Sequence, residues 1–151
     1  MKTAYYNISF GYLQIESENE VLYRLSIVQK VTEHNQTSAF SSKVFRQIKE
    51  YLDGNRKNFD IKYVLKGTDF QLRVWHELEK ISYGDTLCYA DIAHNIGNTK
   101  ACRAVGMACN ANPIWVIVPC HRVIGKNGNL SGYANGIKLK QKLLQLEQHN
   151  L

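Results

Sequence analysis

Pro119-Cys120-His121-Arg122 sets a thiol beside a base and a cation at the end of an apolar run, Ile114 to Val118. A thiol attacks only as its thiolate, and with a free pKa of about 8.5 it needs a neighbouring cation or base to lose its proton near neutrality. A buried cysteine with ordinary neighbours is an inert small hydrophobe; these neighbours are not ordinary. His121 could be the base, yet adjacent side chains of an extended chain point to opposite faces, so a bridging water is expected instead of direct contact. A histidine relaying a proton needs an orienting acceptor on its other ring nitrogen. Glu147 is the only acid in residues 92–151 and is the candidate; the plain alternative is a solvated helix residue.

The elements that must position these groups fall into two parts, residues 1–67 and 68–151. The first reads as α+β. Strands are expected over Ala4–Phe10, Tyr12–Ile15 and Val21–Val28. A helix follows, carrying Phe40, Val44, Ile48, Tyr51 and Leu52, with Gly54 just past its end. Phe59, Ile61, Tyr63 and Leu65 then alternate with polar residues, predicting one more strand. From Thr68 the period becomes helical. Thr68 caps a helix carrying Phe70, Val74, Trp75, Leu78 and Ile81, and Tyr83-Gly84-Asp85 breaks it. Tyr89–Ile96 is a short helix; Gly97-Asn98 turns; Thr99 is expected to cap a second helix running to about Ala111. Such a pair is the helix-turn-helix pattern, though also a common packing unit. Its second helix is built of small residues, Ala101, Cys102, Ala104, Gly106 and Ala108, with Arg103 as the long cation among them. A loop over Gly125–Gly136 and a last helix with Leu139, Leu143, Leu144 and Leu146 complete the chain.

Charge supports a polyanionic partner. Lysine and arginine total 19 against 13 acids, a net charge of +6. Lys100, Arg103, Arg122, Lys126, Lys138, Lys140 and Lys142 all fall in the acid-free stretch, which reads as a basic face of the kind phosphate backbones select. No secretion signal or membrane-spanning run is read, so the expected location is cytoplasmic, where cysteines stay reduced. Cysteines at 88, 102, 109 and 120 form neither a zinc pattern nor a disulfide framework.

Ile117-Val118-Pro119-Cys120-His121-Arg122-Val123-Ile124 resembles the active-site motif of the O6-alkylguanine-DNA alkyltransferases, the methylated-DNA–protein-cysteine methyltransferases. The likeness extends through Asp69-Phe70-Gln71, Val74-Trp75, Tyr83-Gly84, Tyr89, Ala93, Ile96-Gly97, Arg103-Ala104-Val105-Gly106, Asn112-Pro113 and Ser131-Gly132-Tyr133. The resemblance implies an α+β chain: a small ribonuclease H-like domain of sheet plus helix, then a mostly helical, winged helix-turn-helix-like domain. It implies irreversible, single-turnover transfer of an alkyl group from O6-alkylguanine, with O4-alkylthymine a second possible lesion, to Cys120. His121 would act through water and be oriented by Glu147. Arg103 would enter the base stack, Tyr89 would push on the 3′ phosphate, and Asn112 would hold the turn before the active-site segment. Tyr133 and Val123 would line the base pocket. Ala101, Ala104 and Gly106 would let the helix approach the minor groove of double-stranded DNA. The implied protein is a monomer that needs no cofactor. The family's zinc site is not carried over, because the first 67 residues hold no cysteine. Ala134 stands where some members have serine, and Met107 and Cys109 make the second helix bulkier than an all-small version.

Three other readings use the same residues. A lesion-binding relative without transfer would replace the nucleophilic cysteine. A Cys-His hydrolase would need an oxyanion hole and a histidine in direct reach. A helix-turn-helix regulator would need no nucleophile.

Overall fold

The structure, a computed structural model, describes residues 1–130 and 132–151; Ser131 of the Ser131-Gly132-Tyr133 motif lies outside the described residues. Two compact units are formed. One holds Met1–Leu65 and Pro113–Trp115; the other holds Lys66–Asn112 and Val116–Leu151.

In the first unit β1 (Lys2–Ile8), β2 (Gly11–Glu18) and β3 (Val21–Val28) form an antiparallel sheet in that order. Period-2 alternation sends Leu13 and Ile15 of β2 into the core, and a register shift opposite Glu16 and Ser17 lets Leu22 and Leu25 of β3, three residues apart, join them, all fully buried. The first strand stops at Ile8, short of the expected Phe10, because Ser9-Phe10 turn the chain back through Gly11 at φ 138°. Against this sheet packs α1 (Ala39–Leu52), which buries Val44, Ile48 and Tyr51 at the 4- and 7-residue spacing of one helical face. Ser38 and Ser41 cap its start reciprocally, a serine replacing the usual glutamate.

The strand expected at 59–65 does not form. Tyr63 makes a single parallel bridge to Leu22, through Leu22 N–H to Lys62 O at 2.9 Å and Val64 N–H to Leu22 O at 3.0 Å. The outer edge of β3 is shared. Three residues on, Leu25 donates to Pro113 O at 2.8 Å and accepts from Trp115 N–H at 2.9 Å. Neither neighbour has room to grow into a full ladder, and Asp60 N–H is drawn away to the Gln47 side chain at 2.9 Å.

In the second unit α2 (Asp69–Leu78) starts at a Thr68–Gln71 capping box and buries Val74, Trp75 and Leu78. The indole N–H of Trp75 donates to Ala108 O at 2.8 Å, tying α2 to α4 (Cys102–Asn110). Between them lie β4 (Leu87–Cys88) and α3 (Tyr89–Asn95), with Gly97 at φ 80° making the turn into α4. Thr99 does not cap α4. The cap position is Ala101, without a side-chain bond, because Asn98 O takes the Ala101 N–H at 3.1 Å and leaves Thr99 in the turn. β5 (Val123–Ile124) pairs in parallel with β4, Leu87 opposite Val123, a pairing too short to show a period. The unit closes with α5 (Ile137–His149).

Candidate active site

The segment expected to be extended around Cys120 is a 3-10 turn, Cys120–Arg122. Cys120 N–H bonds to Val118 O at 2.9 Å and Arg122 N–H to Pro119 O at 3.0 Å. Curling the chain this way takes Cys120, His121 and Arg122 all inside. The β-branched Val116, four residues earlier, sits at φ 69°, a conformation that crowds its Cβ against the following carbonyl.

Glu147 organises the interior. Its carboxylate is 1% exposed and receives four donors: His121 Nε2 at 2.6 Å, Arg122 Nε at 2.9 Å, Arg122 Nη2 at 3.0 Å and Gly84 N–H at 2.9 Å. A carboxylate has about four lone-pair sites, so this one is filled. Arg122 spends its third nitrogen on Ile81 O at 2.7 Å. Burial pulls the His121 imidazole below its ordinary range, and the Glu147 bond opposes that pull. The ring is therefore held neutral, with Nε2–H donating to Glu147 and Nδ1 the basic nitrogen.

Cys120 lies beside Asn112, whose Nδ2 donates to Val118 O at 2.7 Å and approaches Cys120 Sγ at 3.3 Å. Burial pushes the thiol up; the Asn112 bond and the charge of Lys140 pull it back. Burial is the larger effect, so the resting thiol keeps its proton, and an acceptor such as the base expected at His121 has to take it. Attack by this sulfur would need its proton to be taken up as it reacts.

Sequence reasoning missed Lys140 as a member of this site, and missed that Arg122, the cation beside the thiol, lies inside. Arg122 and Lys140, assigned to a basic face, are both buried; Lys140 is fully so. No carboxylate among the described residues pairs with Lys140. Its ammonium stands 5.5 Å from the Tyr89 ring centroid and 5.7 Å from that of Tyr133, and donates to Tyr89 OH at 3.3 Å. Burial pulls its pKa down, opposed by Cys120 and Cys109. Burial likewise pushes Tyr89 and Cys109 up, each to about 12. The signal that could have found Lys140 is its spacing: Lys140, Leu143 and Glu147 form one buried stripe of α5.

The remaining predicted residues divide. Val123 and Tyr133 are buried; Tyr89 is half-buried; Gly132, at φ 88°, passes Tyr89 OH. On α4, Arg103, Ala104, Met107 and Asn110 are exposed, whereas Ala101 is buried at the cap. The Arg103 guanidinium has no hydrogen bond or ion pair among the described residues. A methyl group on Gly106 would meet Tyr89 at 3.9 Å, an ordinary contact, so the fold itself does not require glycine there.

Two family models match the chain: residues 1–64 the ribonuclease-like domain of 6-O-methylguanine DNA methyltransferase, and residues 69–149 its DNA-binding domain. A methylated-DNA–protein-cysteine methyltransferase of Methanosarcina acetivorans is 55% identical over 108 residues, 72% of this chain and 69% of that protein. One from Mycobacterium bovis is 44% identical over 144 residues, 91% and 87%. Among solved structures, Mycobacterium tuberculosis OGT in complex with DNA superposes with a TM-score of 0.91 at 40% identity, covering 99% of this chain and 94% of that one.

Proposed function

The chain belongs to the 6-O-methylguanine DNA methyltransferase family, whose activity is DNA repair by alkyl transfer to a cysteine of the protein itself, and we propose that Cys120 is the acceptor. The observation that carries this reading is the placing of Cys120, in one turn of chain, next to a buried His121 whose Nε2 lies 2.6 Å from Glu147.

A lesion inside a duplex is out of reach of a buried thiol, so the O6-alkylguanine nucleotide is swung out of the stack at a cost of a few kcal/mol. Arg103 fills the gap it leaves. Ala104 and Gly106, with Ala101 at the helix start, let α4 come close in the minor groove, and Tyr89 presses on the 3′ phosphate. Asn112 fixes the turn that delivers Cys120, while Val123 and Tyr133 line the pocket for the base. Cys120 passes its proton through water to His121 Nδ1, and Glu147 stabilises the imidazolium as it forms. The thiolate attacks the alkyl carbon, a C–S bond forms, and the C–O6 pair leaves with guanine, which Tyr133 assists by donating towards O6. The product is a thioether, a poor leaving group, so each monomer acts once and needs no cofactor. The cytoplasm, where thiols stay reduced, suits this chemistry, and no helix among the described residues is long and apolar enough to cross a membrane.

Incubation with duplex DNA carrying O6-methylguanine should add one methyl mass to the peptide containing Cys120 and restore guanine in the DNA. An unmodified peptide with the lesion still in place refutes the reading. Arg103→Ala should slow transfer from duplex by about tenfold or more while sparing transfer from free O6-methylguanine base, because a free base needs no flipping. Equal losses on both would remove Arg103 from the flipping step.

Lys140 is the positioning residue that this reading adds: its charge favours the Cys120 thiolate and steadies both pocket tyrosines. Lys140→Met should melt no lower than the parent, since it removes a buried, uncompensated charge, yet transfer about tenfold more slowly at neutral pH, a loss that shrinks as pH rises. A parental rate at neutral pH would discard the role.

A further inference from the structure

Met107 is 70% exposed, the only large apolar side chain left in the open on α2, α3 or α4 among the described residues. It stands one helical turn after Arg103, on the face that Arg103, Ala104 and Asn110 share. Its neighbours there are short, so it and Arg103 are the two side chains that project.

We infer that Met107 is a second, apolar contact to the DNA, seated against the deoxyribose wall of the groove beside the flipped nucleotide; this rests on the reading that α4 enters the duplex. Four residues along an α-helix span about 6 Å, and successive nucleotides of one strand rise by about 3.4 Å. With Arg103 in the vacated stack, Met107 therefore meets the duplex within about two base steps of the flipped nucleotide. The surroundings are basic and fit a polyanionic occupant. Lys100 and Arg103 flank the site, and the chain has no acid between Asp91 and Glu147, so a phosphate backbone is drawn in while the thioether meets the sugars. An unbranched, polarisable thioether adapts to an irregular wall, and methionine is among the apolar side chains that wedge minor-groove steps. Such a contact neutralises no phosphate and touches no reacting atom. It adds grip on duplex DNA of any sequence and leaves the chemistry alone.

Met107→Ala and Met107→Leu separate these properties. For duplex carrying O6-methylguanine, Met107→Ala should bind about tenfold more weakly, with the slope of affinity against salt unchanged because no cation is lost. Met107→Leu, which keeps an apolar side chain of similar size, should stay within about twofold of the parent. Both should take the methyl group from free O6-methylguanine base at the parental rate, which also shows that the fold is intact. Parental duplex affinity in Met107→Ala overturns the inference, as does a changed salt slope or an equal loss on the free base. Failure of the broader reading would look different, as a parent chain that no methylated substrate modifies.

Discussion

Glu147→Ala should melt about 10 °C below the parent and transfer methyl groups far more slowly at the temperatures where it remains folded. The carboxylate is the shared acceptor of His121, Arg122 and Gly84 N–H. Its loss strands a guanidinium that is 7% exposed with Ile81 O as its one remaining acceptor from this cluster. Removing one partner of a buried ion pair costs about 3–5 kcal/mol, and in a chain of this size each kcal/mol lowers the melting temperature by about 2–4 °C. Glu147→Gln separates the structural loss from the chemical one. The amide retains the shape and one acceptor oxygen but turns an N–H towards a donor, so part of the stability should return while transfer stays slow, the imidazolium having lost its counter-charge. Thermal melts together with single-turnover methyl transfer decide the matter. A Glu147→Ala protein that melts with the parent and reacts at its rate would show the cluster to be idle.

Cys120→Ser should lose transfer entirely and keep the lesion bound. A serine hydroxyl is far less acidic and less nucleophilic than a thiol, so the gain in methyl mass should fall below detection. The fold should survive, since a hydroxyl fits the space and can take the Asn112 amide in place of sulfur. Binding to O6-methylguanine duplex should then persist, because the lesion is never consumed. Cys120→Ala, with no group for Asn112 to meet, should likewise be inert. Methyl transfer by either variant, read by intact mass, would move the acceptor to another residue.

The grouping of Cys120, His121 and Arg122 could be read directly because the three are adjacent in the chain. Glu147 could also be picked out as the candidate partner of His121, from its isolation as the only acid after Asp91, and the two do meet at 2.6 Å. What escaped were contacts made by folding back. A 3-10 turn of three residues has no period, so Cys120–Arg122 passed for extended chain. Tyr63 has the alternating neighbours of a strand residue, but the edge it needed is divided with Pro113 and Trp115. Thr99 has the chemistry of a helix cap, yet the turn closed by Asn98 runs two residues further. Lys140 and Arg122 were counted as surface charge because composition cannot tell a snorkelling lysine from an enclosed one. The pairing of a lysine and a glutamate with Leu143 on one stripe of α5 was the only hint.

The path of residues 112–116 bears on how far the protein is modular. Asn112 and Val116 belong to one compact unit, while the three residues between them belong to the other, pinned to Leu25 by two backbone bonds. A cut after Leu65 would therefore not separate two self-sufficient pieces. It would strip the first of the tripeptide that closes the edge of β3, and leave the second with an unanchored tether ending five residues before Cys120. Shuffling or swapping of the two halves must respect a seam that crosses the chain three times.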